Sequence, residues 1–136
     1  MGREHLENTV RALYQDIFDS GNCPAVDAHY EPDMVCYFND LELTLDNLKA
    51  SMAKFIELHR DVKTDIKHLL IDGNHTFAHL ERRATDKQTG QEKVAKIMVV
   101  KEFNGNKIAK VWFMSDDVAV RSIWSEKSNT ASTCSA

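Results

Sequence analysis

The chain has 136 residues and a formal charge of -4, with 43% hydrophobic and 28% charged residues. That is the size and composition of one soluble globular domain, long enough for a real core but not for two. No basic excess draws it to nucleic acid or to an anionic membrane, and its apolar runs fall far short of a bilayer span.

The first residues, Met1-Gly2-Arg3-Glu4-His5, are polar where a secretory signal would be apolar. The cysteines are Cys23, Cys36 and Cys134, an odd number without a CxxC pair, which argues against a disulfide framework. A cytoplasmic protein is expected.

Residues 4–20 predict an amphipathic helix. Leu6, Val10, Leu13, Tyr14, Ile17 and Phe18 fall on one stripe at helical spacing, and Gly21 suits the C-cap. Pro24 fits the first turn of a short helix reaching Tyr30, which Pro32-Asp33 ends. Met34 to Phe38 reads as a strand, and Asn39-Asp40 as a turn into Leu41-Glu42-Leu43. A third helix follows from Leu45 to His59, capped by Thr44 or Asp46, with Leu48, Met52 and Phe55 on its buried stripe.

Beyond that helix the hydrophobic period becomes two. Strands are predicted at 62–71, 76–85, 92–103 and 107–116, joined at Asp72-Gly73-Asn74, at Asp86 to Gly90 and at Asn104-Gly105-Asn106. Helices followed by an antiparallel meander make an α+β domain over residues 4–120, with helices covering one face of the sheet. Residues 125–136 are small and polar and are expected to fray. Strict alternation puts Trp112, Met114 and Asp116 on the helix-covered face with Ile108, if Phe103 pairs with Ile108. It leaves Met98, Val100, Val111 and Phe113 on the other face, too apolar for bare solvent, and so predicts a homodimer there.

Three stretches carry a family likeness. Tyr30-Glu31-Pro32-Asp33-Met34-Val35 resembles the Y-x-P-D-x-V step that opens the first strand of SnoaL-like proteins. Ile71-Asp72-Gly73-Asn74 looks like their dGd hairpin. Phe103 to Ile108 with Trp112 and Asp116 is similar to their closing strand and its W-x3-D ending. The chain thus resembles the SnoaL-like and ketosteroid-isomerase-like members of the nuclear-transport-factor-2-like superfamily over about residues 5–118. The resemblance implies a cystatin-like cone: three helices packed on a curved, mainly antiparallel sheet, with a pocket between them. It departs from the cyclase pattern at Glu81 to Thr85, where a G-T-H segment is usual, and at Asn106, which stands for the Gly of dGKI.

The same resemblance implies catalytic candidates. Asp116 matches the position where cyclase-like relatives keep a general acid/base, although Asp116-Asp117 could equally end the strand. Tyr14 sits where ketosteroid isomerases hold an oxyanion-hole phenol, a position that also suits a plain core tyrosine. Asp40 lies near their proton-shuttling carboxylate, and is also ordinary turn material. Trp112, Phe55 and Met114 are expected as pocket wall and His29 at the pocket mouth. Arg82 should share a face with Ala95 and Asp116 if residues 87–90 form a four-residue turn.

The six histidines show no metal-ligand spacing, and there is no Gly-rich phosphate loop, so neither metal nor cofactor is expected. The expected function is binding of a small, largely apolar molecule, with proton transfer or hydrolysis as its chemistry. The alternative is a non-catalytic dimerisation or ligand-sensing module.

Overall fold

The structure is a computed structural model that describes residues 3–21, 25–39 and 41–115. Cys23, Pro24, Asp40, Asp116 and the 125–136 tail therefore lie outside the described residues, as does Cys134. Helix α1 spans Arg3–Leu13 and runs into a π-helical segment, Tyr14–Asp19; α2 spans Val26–His29 and α3 Leu45–Leu58. The strands are β1 Tyr30–Phe38, β2 Leu41–Thr44, β3 His59–Asp72, β4 His75–Asp86, β5 Glu92–Asn104 and β6 Lys107–Ser115. They form one sheet in the order β2-β1-β6-β5-β4-β3. Every pairing is antiparallel except that of β1 with β6. The α+β cone expected from the sequence is the fold observed.

Local chemistry sets the boundaries. Leu6, Val10 and Leu13 are buried at the predicted helical spacing. The predicted single helix changes pitch after Leu13, and the Ser20 amide donates to the Gln15 carbonyl five residues back, at 2.9 Å. At α3, Thr44 is the cap rather than Asp46. Its hydroxyl accepts from the Asn47 amide at 3.3 Å, while the Asn47 side-chain oxygen accepts from the Thr44 amide at 3.0 Å. The β3–β4 and β5–β6 hairpins turn on Gly73 and Gly105, at φ +60° and +63°, a backbone that costs a glycine little. The Asp86 amide donates to the Gln91 carbonyl, so residues 87–90 form the four-residue turn that pairs Arg82 with Ala95.

The inner face of the sheet carries Ala78, Leu80, Ile97, Val99, Phe103, Ile108 and Val111, packed against Leu6, Leu13, Ile17, Leu48 and Met52. Leu80 and Ile17 are wholly buried, and each such side chain contributes about 2 kcal/mol through area removed from water.

One irregularity overturns the face assignment made by alternation. Phe103 does pair with Ile108, but Glu102 pairs with Lys110, so Ala109 is an extra residue in β6. The bulge shifts the pleat by one position. Ile108 and Val111 are consequently both buried, and Phe113 packs against Phe38 with ring centroids 5.4 Å apart. Trp112 and Met114 turn to the opposite face, where they are 39% and 60% exposed, and Trp112 stacks on Tyr37. The apolar row on the outer face is thus Met98, Val100, Trp112 and Met114, not the set containing Val111 and Phe113.

Candidate functional site

A cavity of about 70 Å³ lies between α3, the π-helical segment and the inner face of the sheet. Its wall is apolar, with Phe18, Leu48, Met52, Phe55 and Val99 prominent. Against that wall stand six groups that can titrate or donate: Tyr14, Tyr30, Cys36, Ser51, Arg82 and Lys101. The volume matches about two water molecules. Its enclosed part therefore seats about one functional group of a ligand.

Arg82 is on the inner face of β4 between Leu80 and Ala84, only 7% exposed. Its Nε donates to Thr64 Oγ1 at 3.2 Å, and Thr64 in turn donates to Asp19 Oδ1 at 2.9 Å. The guanidinium carbon sits 3.8 Å from the centre of the Phe18 ring and 5.8 Å from those of Tyr14 and Phe55. This aromatic cradle replaces part of the hydration lost on burial. Desolvation still pushes its pKa down to about 10, against the pull of Tyr14, Asp19 and Tyr30. Arg82 remains a cation throughout the neutral range.

Lys101 occupies the inner face of β5 between Val99 and Phe103 and is 3% exposed. Its Nζ hydrogen-bonds to the Tyr14 hydroxyl and lies 4.5 Å from the centre of the Tyr14 ring. Among the described residues, neither cation forms an ion pair with a carboxylate. Burial, and then the charge of Arg82, push the Lys101 ammonium down to about 7.

The neutral acids move the other way. Burial raises the Tyr14 and Tyr30 phenols well above their usual range, and the Cys36 thiol to about 12. Tyr14 is therefore an O–H donor at any physiological pH, and Cys36 is a protonated thiol rather than a nucleophile.

Of the residues singled out in the sequence, Tyr14, Phe55 and Arg82 meet around this cavity. Trp112 and Met114 do not line it, because the Ala109 bulge turns them outward. His29 stands apart on α2, with Nε2 3.4 Å from Asp16 Oδ2. Asp116 and Asp40 lie outside the described residues. Lys101 went unnoticed in the sequence, although a signal was present. It shares its parity with Ile97, Val99 and Phe103, so it is a lysine on the core-facing side of a strand. Among the described residues, no group of three His, Cys, Asp or Glu side chains is placed to hold a metal, and no helix is long and apolar enough to cross a membrane.

The fold and the cavity define a cone-shaped α+β protein with a pocket between helix and sheet. The SnoaL-like domain family matches residues 10–111, and the chain belongs to that family. No curated protein matches the sequence. Solved structures share the fold at low identity. A candidate polyketide cyclase from Acidithiobacillus ferrooxidans is 20% identical, with a TM-score of 0.74 over 93% of this chain and 99% of that one. IdmH, a candidate polyketide cyclase from Streptomyces antibioticus, is 15% identical, with a TM-score of 0.72 over 88% and 97%. A de novo designed protein with a curved β-sheet is as similar, at 17% identity and a TM-score of 0.71 over 93% and 99%. A designed scaffold among the neighbours underlines that the cone is an architecture, and function has to be argued from the pocket.

Proposed function

We propose that the chain binds a small, largely apolar molecule through one carbonyl or enolate oxygen, and that the pocket promotes proton transfer at the carbon beside it. The observation that carries this is that Tyr14 and Arg82 both line one apolar cavity. A phenol donor and a desolvated cation stabilise negative charge developing on an oxygen, and do so more strongly in an apolar site than in water. The two candidate polyketide cyclases among the neighbours support a cyclase-like chemistry without supplying a substrate. Asp116 is the proposed proton acceptor, on the strength of its W-x3-D context alone.

Benzoate and benzyl alcohol separate the oxygen-binding claim from plain hydrophobic binding. The anion should bind more tightly than the neutral alcohol, and Arg82→Met should cost benzoate about 10- to 100-fold in affinity, the worth of one charge-assisted hydrogen bond. Calorimetric titration of both ligands checks this. Equal loss for both would mean that Arg82 acts by packing.

A homodimer through the outer sheet face is proposed as well. Met98, at 50% exposure, continues the apolar row through Trp112 and Met114 across β5 and β6. Trp112→Asp should yield a monomer in sedimentation at micromolar concentration, where the parent chain should be a dimer; a monomeric parent would contradict it. The buried free thiol of Cys36 suits a reducing compartment, and the cytoplasm is the proposed location.

A further inference from the structure

Lysine is unusual on an inner sheet face, because its ammonium normally snorkels to water along its own apolar stem. Lys101 does the reverse. It is buried between Val99 and Phe103, and it lines the cavity with its Nζ against Tyr14. Among the described residues no carboxylate pairs with it, and the other cation lining the cavity, Arg82, disfavours its charged form. An amine in an apolar site beside a second cation is the arrangement that frees a lysine nitrogen for attack on carbonyl carbon.

Resting on the reading of the cavity as a carbonyl site, we infer that Lys101 is a Schiff-base nucleophile that captures the aldehyde or ketone group of a small apolar molecule, with Tyr14 as its proton relay. The Nζ lone pair forms the N–C bond as the carbonyl π pair moves onto oxygen. Tyr14 gives its hydroxyl proton to that oxygen and takes one back from the nitrogen. The carbinolamine hydroxyl then leaves as water, taking a proton from Tyr14 as the C–O bond breaks, while the nitrogen forms the C=N bond and returns its remaining proton to Tyr14. Amine and carbonyl enter; imine and one water leave, with no change of oxidation state. Once protonated, the imine withdraws electrons from the neighbouring carbon more strongly than the carbonyl did, so it serves the same proton transfer.

Two features support a ready supply of the reactive form. The ammonium is held down to about 7, so much of Lys101 is free amine near neutrality. A lysine of ordinary basicity is free amine in only about four molecules in ten thousand at that pH. The phenol of Tyr14 stays protonated and so retains the proton the relay needs.

The test treats the full chain with benzaldehyde and sodium cyanoborohydride at neutral pH. Hydride from the reductant converts the imine to a stable benzylamine, and peptide mass spectrometry locates it. Lys101 should be modified at least about tenfold faster than any other lysine, in keeping with its larger free-amine fraction. Lys101→Arg, which keeps a cation but cannot form an imine, should lose that fast phase. Mapping the parent chain decides the matter even if the variant fails to fold. Binding of benzyl alcohol, which cannot form an imine, is measured in parallel. Adducts spread evenly over the lysines while benzyl alcohol binds would overturn the Schiff base and leave the pocket standing. Even labelling without benzyl alcohol binding would overturn both.

Discussion

Exchange of the α-hydrogens of phenylacetone for deuterium should be accelerated by this protein and should slow by about 10²- to 10³-fold in Tyr14→Phe, the usual cost of removing one oxyanion donor. Phenylacetone offers what the cavity selects: an apolar ring, one carbonyl oxygen and an acidic carbon beside it. The Tyr14 ring is core, packed 6.2 Å from the Phe18 ring, and phenylalanine keeps that packing while deleting only the hydroxyl. Rate loss with unchanged thermal stability would therefore report the donor rather than the fold. Asp116→Asn should also abolish exchange if that carboxylate is the proton acceptor. Proton NMR in heavy water follows all three proteins. Exchange at the buffer rate with the parent chain would put the ligand-binding module ahead of the enzyme.

Stability should rise by about 2 kcal/mol between pH 7 and pH 9, and Lys101→Met should remove most of that rise. The sign follows from the depressed Lys101 pKa, about 7 in the fold against 10.5 for an ordinary lysine. Below 7 both folded and unfolded chains hold the proton, and the full cost of burying an ammonium is present. Between the two values the unfolded chain binds more protons, so the folded state gains as pH increases. The gain is opposed above about 9, where Cys36, and then Tyr14 and Tyr30, lose protons more readily in the unfolded chain. Methionine has a similar length and no charge, so the variant should be the more stable protein at pH 6. Urea melts across this range give the comparison. A parallel pH dependence in the two proteins would mean that Lys101 is not desolvated.

The elements were legible where the code is local. The Leu6, Val10 and Leu13 stripe, the Thr44 cap and the Gly73 and Gly105 hairpins all rest on residues within a few positions of each other, and each stands as expected. The parallel pairing of β1 with β6 joins residues about 75 apart, such as Tyr37 and Trp112, and no short-range pattern encodes it. The Ala109 bulge has no signature in the local alternation. It left the turn and the Phe103–Ile108 pair as predicted, yet inverted the side chains from Lys110 to Ser115. That inversion moved Trp112 and Met114 out of the expected pocket wall and brought in Val111 and Phe113.

The site was half legible. Tyr14 and Arg82 stood out, one on a helix stripe and one by its partner strand. Lys101 was hidden by the habit of reading lysine as solvent-facing, although its parity with Val99 and Phe103 said otherwise. The change to π-helical pitch at Tyr14 was hidden as well; the segment packs against β3, a contact between residues distant in sequence.

Central to the account is a ligand held between Tyr14, Arg82 and Lys101 on the inner side of the sheet. Backbone amide shifts recorded during a benzoate titration test it most directly. The account predicts that the largest shifts fall at Ser51, Met52, Arg82, Val99 and Lys101, which surround the cavity. Shifts concentrated instead at Met98, Trp112 and Met114, on the outer face, would contradict it.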